Sequence, residues 1–243
     1  MSSVAGPQAV PDPWTEAISA LTPTPTSSWT TPFLELLPVS GMSVSTLGDV
    51  LESETLFASD ALAARVDEVQ FDLSEGPCWD AVATRLPVFE SDLGGKGPGR
   101  WPVLADALAG DGVQGLFVFP LILGTLALGA IDLYAVRSCA LDSVDVARMQ
   151  GLAGDLARLV LQRTVLEAGA EVESEQVNPH SRRTVHQATG AVMSQLGLTS
   201  ADAYLLIQGR AFTEGRSMSD VAADILDRRI KFIVKQDGIE ETP

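Results

Sequence analysis

The segment GLFVFPLILGTLALGAIDLY, residues 115–134, contains the longest apolar run of the chain. It is rich in residues that favour β-strands, and it contains Pro120 and three glycines. A membrane-spanning helix needs about 20 consecutive apolar residues, so this interrupted segment is a poor candidate for one. We therefore predict two core strands, 116–123 and 126–136, joined by a turn.

Strands and helices alternate on the N-terminal side of this hairpin. The residue pattern predicts strands at 39–47, 56–60 and 86–93, and helices at 32–37, 60–71, 76–86 and 101–112. This alternation predicts an α+β fold, in which one antiparallel sheet is flanked by helices. We place this domain at residues 28–145.

Residues 1–27 are rich in Pro, Thr and Ser, and we predict a flexible N-terminal segment with at most a short helix near residues 14–21. The first residues do not combine a basic segment with a following apolar block. We therefore expect no signal peptide, no membrane contact and a cytoplasmic location.

From Ser143 the pattern is helical, and we predict a linker helix over residues 146–178. One seam of this helix has 3-4 spacing and consists of Met149, Leu152, Leu156, Leu159, Arg163, Leu166 and Ala170. The spacing predicts either a coiled coil between two copies of the chain, interrupted by Arg163, or packing of the helix on its own sheet. Asn178 and Pro179 suit the N-cap and first position of the next helix.

We place a second domain at residues 179–236, followed by an acidic tail at 237–243. Three helices are predicted, at 181–196, 200–214 and 218–234. Thr199 and Ser217 stand at N-cap positions, and each is followed three residues later by an aspartate, close to a capping box.

The charge of the chain is unevenly distributed. The formal net charge is −16, yet residues 180–235 contain eight Lys and Arg against five Asp and Glu, together with both histidines. Ordinary solvated charges on helices account for this pattern equally simply. The alternative is a nucleic-acid-binding module attached to an acidic domain whose field discourages non-specific binding.

Three segments of the C-terminal domain, HQATGAVM, LGLTSADAYLLIQGRAF and EGRSMSDVAADIL, occur in the order typical of an ANTAR domain, the RNA-binding antiterminator module of bacterial signalling proteins. The preceding region resembles the GAF domains of actinobacterial ANTAR proteins, through LLPVSGMSVSTL, QFDLSEGPCWDA, DLGGKGPGRWP and GAIDLYA. The resemblance implies a homodimer, joined through the linker helix, that binds paired RNA stem-loops and prevents a terminator hairpin from forming.

The expected RNA contacts are the polar and small residues at the edges of this module. They are Arg182, Arg183, His186, Gln187, Ala188, Thr189, Gly190, Arg210, Arg216 and Ser217. Thr189 stands where the ANTAR family usually has lysine, so RNA affinity is expected either to depend more on the four arginines or to be weaker. Gly190 is unfavourable inside a helix by about 1 kcal/mol relative to alanine, which suggests either close helix packing or a close approach of RNA to the backbone.

The sequence gives weak support to catalysis. The acidic domain contains no histidine, which excludes a histidine-based relay there, and GGKG at 94–97 lacks the other residues of a phosphate-binding loop. Two cysteines are too few for a metal cage, although Cys78, just inside a predicted helix N-terminus, keeps a redox role open. We expect no enzyme activity, no cofactor and no metal.

The resemblance therefore predicts a sensor domain that receives a small ligand or a protein partner and passes the signal through the linker helix. Two alternatives remain open. Three short helices also describe a helix-turn-helix transcription factor that binds DNA. The second alternative is a sensor or scaffold protein that has lost RNA binding, because Thr189 replaces the lysine that is usual in the ANTAR family.

Overall fold

The computed structural model describes residues 12–47, 51–95, 99–169, 182–235 and 238–242. Its N-terminal half is built on a five-stranded antiparallel sheet of strand order β2-β1-β5-β4-β3. The strands are β1 (Gly41–Thr46), β2 (Glu54–Ala58), β3 (Val88–Glu90), β4 (Gly115–Leu123) and β5 (Leu126–Ala135). The predicted β4–β5 hairpin lies in the sheet interior, and the α+β fold class is confirmed.

Helices cover both faces of this sheet. They are α1 (Pro13–Ser19), α2 (Thr31–Leu34), α3 (Ala61–Leu73), α4 (Pro77–Thr84), α5 (Pro102–Ala107) and α6 (Ser143–Gly169). Alternate residues of β4 enter two separate cores: Phe117 and Phe119 pack with α6, whereas Leu116 and Val118 pack with α3, α4 and α5. Side chains alternate across a strand, so a strand buried on both faces reads as a continuous apolar run.

The short helix that the sequence allows near residues 14–21 is present as α1, but it is packed on the sheet domain. Trp14 and Ala17 of α1 are buried in the same core as Trp29 and Phe33. The residues before 27 therefore include a helix that covers part of the sheet, because a large apolar ring gains free energy by leaving water. Residues 1–11 lie outside the described part of the chain.

Helix α6 resolves the two interpretations of its seam. Met149, Leu152 and Leu156 are fully buried in the core of the sheet domain, so this half of the seam packs on the chain's own sheet. Near the end of the helix, Val165 and Leu166 are exposed. No helix in the described residues is both long and apolar enough to cross a membrane. Ala170, Asn178 and Pro179 lie outside the described residues.

The C-terminal domain contains α7 (Arg183–Leu196), α8 (Ser200–Glu214) and α9 (Met218–Leu226). Both predicted N-caps are confirmed: Thr199 Oγ1 accepts a hydrogen bond from Asp202 N at 3.2 Å, and Ser217 Oγ accepts one from Asp220 N at 3.1 Å. Helix α8 has the predicted bounds and ends at Gly215, whose φ of 62° is left-handed.

The prediction of a third helix reaching residue 234 was wrong. Helix α9 ends at Leu226, Arg228 takes a left-handed φ of 61°, and Arg229 N donates to Asp224 O. Two antiparallel strands follow, β6 (Lys231–Lys235) and β7 (Gly238–Thr242), so part of the predicted acidic tail is a strand. The apolar and β-branched residues of KFIVK favour a strand over a helix.

This hairpin contributes to the core of the C-terminal domain, where Phe232 is buried. We expect Phe232→Ala to lower the free energy of unfolding of this domain by about 3–5 kcal/mol, because the change removes a buried ring. The neighbouring Lys231 is exposed, and Lys231→Ala should change it by less than about 0.5 kcal/mol. Chemical denaturation followed by circular dichroism measures both, and equal effects would contradict the role assigned to β6.

Candidate nucleic-acid interface

Four of the expected RNA contacts come together at the start of α7. Arg182, Arg183, His186 and Gln187 line a cavity of about 460 Å³, whose other wall is formed by residues 52–54 of the sheet domain. Arg183, His186 and Gln187 are exposed, and His186 Nε2 lies 3.4 Å from the carbonyl oxygen of Ser53. The cationic end of α7 therefore faces two glutamates, Glu52 and Glu54.

Ala188 and Thr189 lie inside the C-terminal domain. Ala188 is fully buried, and Thr189 is 5% exposed, with its hydroxyl donating to the carbonyl oxygen of Val185 at 2.8 Å. In this arrangement neither side chain has a surface to offer to RNA. The position at which the ANTAR family usually carries lysine is occupied here by a hydroxyl that is bonded within its own helix.

Gly190 lies on the exposed side of α7. A Cβ atom built at this position meets no heavy atom of the described residues within 4 Å. Close packing of α7 on another described helix therefore does not account for the glycine. The bare backbone next to His186 and Gln187 is open to solvent.

Arg210, Arg216 and Ser217 form a second group, at the turn between α8 and α9. Arg216 forms ion pairs with Glu214 and Asp224, at 3.1 and 2.6 Å, and Arg210 forms one with Glu214 at 2.5 Å. Hydrogen bonds from Arg216 and Arg229 lower the pKa of the Asp224 carboxyl, and the hydrogen bonds of Arg216 with Asp224 and Glu214 raise the pKa of its guanidinium. Both arginines thus already have acidic partners within their own domain.

Arg182 is buried between the two domains, with 8% of its surface exposed. Its guanidinium carbon lies 3.5 Å from the ring centroid of Phe71, on α3 of the sheet domain. Its terminal nitrogens lie 3.8 Å from Asp67 Oδ2 and 3.9 Å from Asp72 Oδ1. The ring face and the two carboxylates all attract the guanidinium electrostatically.

Hydrogen bonds also join the end of α3 to α8 and α9 of the C-terminal domain. Gln208 Nε2 donates to Asp72 O at 2.7 Å and to Ser74 Oγ at 3.1 Å, while Met218 N donates to Asp72 Oδ2 at 2.9 Å. Tyr204 Oη donates to Phe71 O at 3.4 Å. Burial raises the pKa of Asp72 to about 6, against the hydrogen bond from Met218 N, which lowers it. Sequence patterns miss these residues, because their partners lie more than 130 positions apart.

Asp67 connects this interface to a buried polar cluster beneath α3. The Thr55 hydroxyl donates to Asp67 Oδ2, and Gln70 Nε2 donates to Asp132 Oδ1 at 2.7 Å. Burial, and then the negative charge of Asp67, raise the pKa of Asp132. Asp67, Gln70 and Asp132 are at most 2% exposed. The sheet domain therefore has two interacting carboxyls in its interior.

Cys78 lies beside this cluster and is fully buried. Burial, together with the charges of Asp132 and Asp67, raises the pKa of its thiol well above the ordinary value. These effects outweigh the helix N-terminus, which was expected to favour the thiolate. A protonated, buried thiol is a poor nucleophile, which argues against a redox role.

Two family models match the chain. The family model of the GAF domain matches residues 34–160, and that of the ANTAR domain matches residues 176–226. No curated protein matches the sequence. The β6–β7 hairpin lies beyond the matched ANTAR residues.

Solved GAF domains are similar to this chain at low sequence identity. One, from a phosphoenolpyruvate-protein phosphotransferase of Coxiella burnetii, is 18% identical, with a TM-score of 0.48, over 64% of this chain and 92% of that chain. Another, from an Acinetobacter phosphoenolpyruvate-protein phosphotransferase, is 9% identical, with a TM-score of 0.44, over 66% and 93%. A GAF domain/HD domain protein from Geobacter sulfurreducens is 15% identical, with a TM-score of 0.43, over 63% and 94%.

A sheet domain of the sensor type, joined to a helical module of the ANTAR type, defines a sensor-regulated ANTAR regulator. The two matched families are families of regulatory domains. The chain belongs to the GAF domain family, whose model covers more than half of its length, and it carries an ANTAR domain at its C-terminal side.

The buried carboxyl of Asp132 predicts a pH-dependent stability. A carboxyl whose pKa rises on folding stabilises the fold below its unfolded pKa, and this contribution is lost as pH rises through the folded pKa. Asparagine keeps the acceptor for Gln70 without the charge. We therefore expect Asp132→Asn to raise the melting temperature at about pH 9 and to change it much less at about pH 5. An equal shift at both pH values would contradict the raised pKa.

Proposed function

We propose that this protein is an RNA-binding transcription antitermination regulator, in which the GAF domain controls an ANTAR domain that binds RNA stem-loops and prevents terminator formation. The observation that carries the proposal is the exposed stripe of α7 formed by Arg183, His186, Gln187 and Gly190, which share one helix face by their i, i+3 and i+4 spacing. The helix contains no acidic residue. A stripe with a cation, hydrogen-bonding side chains and bare backbone suits the phosphates and unpaired bases of an RNA loop.

Antitermination on paired stem-loops needs two ANTAR modules, and we propose that α6 joins them. Val165 and Leu166, near the end of this helix, are 64% and 59% exposed, and Arg163 forms an ion pair with Glu167 on the same helix. Exposed apolar side chains at the end of a helix are suited to contact with a second copy. The first half of the helix stays on its own sheet, so the proposed dimer contact is short.

The remaining parts of the proposal follow from the domain types. The GAF domain would receive a small ligand or a protein partner, and the regulator would act in the cytoplasm, where transcripts are made. Binding to duplex DNA is the second candidate function. We favour RNA because α7 offers only a narrow stripe of side chains, whereas a major groove takes the face of a recognition helix with several base contacts.

We expect Arg183→Glu to weaken binding to a hairpin RNA by at least tenfold, because it places a negative charge at the centre of the proposed contact. Arg158→Glu is the matched control: it makes the same charge change at an exposed site on α6 and should weaken binding less than twofold. Fluorescence anisotropy with a labelled hairpin measures both. Arg183 also faces Glu52 and Glu54 of the GAF domain, so Arg183→Glu weakens the contact between the two domains. Reduced RNA binding by this variant therefore cannot result from a GAF domain that covers α7 more tightly.

The same titration separates the two nucleic acids. Unlabelled hairpin RNA should displace the labelled hairpin at a much lower concentration than duplex DNA of equal length and charge. Displacement at equal concentrations would count against a loop-specific RNA site and favour the alternative of general nucleic-acid binding.

Gly190→Ala is expected to act on stability and on binding in opposite directions. The added methyl group meets open space and improves helix propensity, so α7 should gain about 0.5–1 kcal/mol. If RNA approaches the bare backbone, the same methyl group weakens hairpin binding several-fold. A more stable variant with unchanged RNA affinity would remove Gly190 from the contact surface.

A further inference from the structure

Asp67, Phe71, Asp72 and Ser74 form a surface of the GAF domain that we call the α3 surface. It contacts the ANTAR domain through the kinds of group with which a nucleic acid would contact it. Two carboxylates, Asp67 and Asp72, lie beside the guanidinium of Arg182, as phosphates do in an RNA complex. A peptide carbonyl, Ser53 O, faces His186, and the adjacent Glu52 and Glu54 line the same cavity as Arg183. The acidic domain thus presents anionic groups along the start of α7.

We propose that the α3 surface and RNA are mutually exclusive partners of the ANTAR domain, so that the arrangement described here is an autoinhibited state. This inference rests on the proposed function, since it needs RNA to bind at the start of α7. RNA gains access to Arg182, and to the whole α7 side of the cavity between α7 and residues 52–54, only when the α3 surface separates from the ANTAR domain.

Arg182 cannot contact the GAF domain and RNA at the same time, because it is buried in the docked state. The guanidinium is covered by Phe71 at 3.5 Å and is 8% exposed, so no phosphate reaches it in the docked state. Exposed Arg183 and His186 are open to solvent on one side only, because residues 52–54 form the opposite wall of their cavity. Docking therefore hides one cation completely and narrows the approach to the others.

The hydrogen bonds of Asp72 make the docked state specific. Its side chain accepts from the backbone N–H of Met218, at the start of α9, and its carbonyl oxygen accepts from Gln208 of α8. One residue of α3 is thus bonded to two helices of the ANTAR domain. A helix N-terminus holds a carboxylate favourably, since its first N–H groups have no partner within the helix.

The contact also gives the sensor domain a way to release the module. Asp67 contacts Arg182 on one side and Thr55 of β2 on the other, and its charge acts on Asp132 in the domain interior. A ligand that changes the charge or position of these buried groups changes the hold of α3 on Arg182. The two sites are then coupled through their different affinities for the docked and released states.

The test uses the full-length chain with Asp72→Ala. The population of the released state limits the apparent affinity, so loss of this contact should tighten hairpin RNA binding by about tenfold. Glu35→Ala is the matched control: it removes the same charge just after α2, which packs in the other core of the sheet domain, and the Glu35 side chain is exposed. It should tighten binding less than twofold. Hydrogen exchange on the same proteins should show faster exchange in α3 and α7 only for Asp72→Ala.

Each outcome decides between the two proposals. Faster exchange with unchanged RNA affinity would overturn the competition and leave RNA binding standing. No hairpin binding by either the wild type or Asp72→Ala would overturn the proposed function itself, and the competition with it. If Asp72→Ala fails to fold, Gln208→Ala removes the contact from the ANTAR side without touching the GAF domain, and the same increase in affinity is expected from it. An increase of equal size in Glu35→Ala would show a general charge effect and would also overturn the competition.

Discussion

The guanidinium of Arg182 carries a positive charge, yet water barely reaches it. Removing such a group from water costs several kcal/mol unless negative groups surround it. Asp67, Asp72 and the face of Phe71 fulfil that need, and all three belong to α3 of the other domain. The relative position of the two domains depends on this pairing, because Arg182 stays buried only where these groups of α3 take the place of water. When the domains separate, water hydrates the guanidinium, and in the proposed complex an RNA phosphate would pair with it.

Helix α3 is consequently shared by two structures. Val66, Val69 and Phe71 pack in the core of the sheet domain, while the carboxyl end of the helix meets α8 and α9. Because α3 is packed against both domains, a shift of the helix that suits the sheet changes its contact with the ANTAR domain. Close-packed interiors transmit such shifts, since they hold few voids to absorb them. This is the physical basis for expecting the sensor domain to control RNA binding through α3 as well as through the linker helix.

Most of the fold could be predicted from local patterns. The β4–β5 hairpin, the N-caps Thr199 and Ser217 and the glycine that ends α8 depend on neighbouring residues, and the structure confirms them. The end of α9 could not be predicted as easily, because the helix stops through a left-handed Arg228 rather than a glycine. The burial of Arg182 was beyond the sequence altogether, since Asp67 and Asp72 are more than 100 residues away and nothing in the local pattern of α7 indicates them. The ANTAR resemblance predicts the contacts on α7, whereas the period of the helix places Ala188 on the face that packs in the domain core, where Thr189 is buried as well.

The size of the docking energy decides whether a sensor ligand could release the module. Shifting a two-state equilibrium from 1:99 to 99:1 takes about 5.5 kcal/mol. A buried ion pair that separates into water contributes little net free energy, because hydration of both charges offsets their attraction, so the ion pairs of Arg182 with α3, at 3.8 and 3.9 Å, supply only part of this difference. The hydrogen bonds from Gln208 and Met218 add about 1–3 kcal/mol each at most, because water replaces them on release. A ligand that disturbs only the Asp67 side of the contact would then be sufficient to change the population that RNA meets, while the remaining hydrogen bonds keep the released state from dominating without a signal.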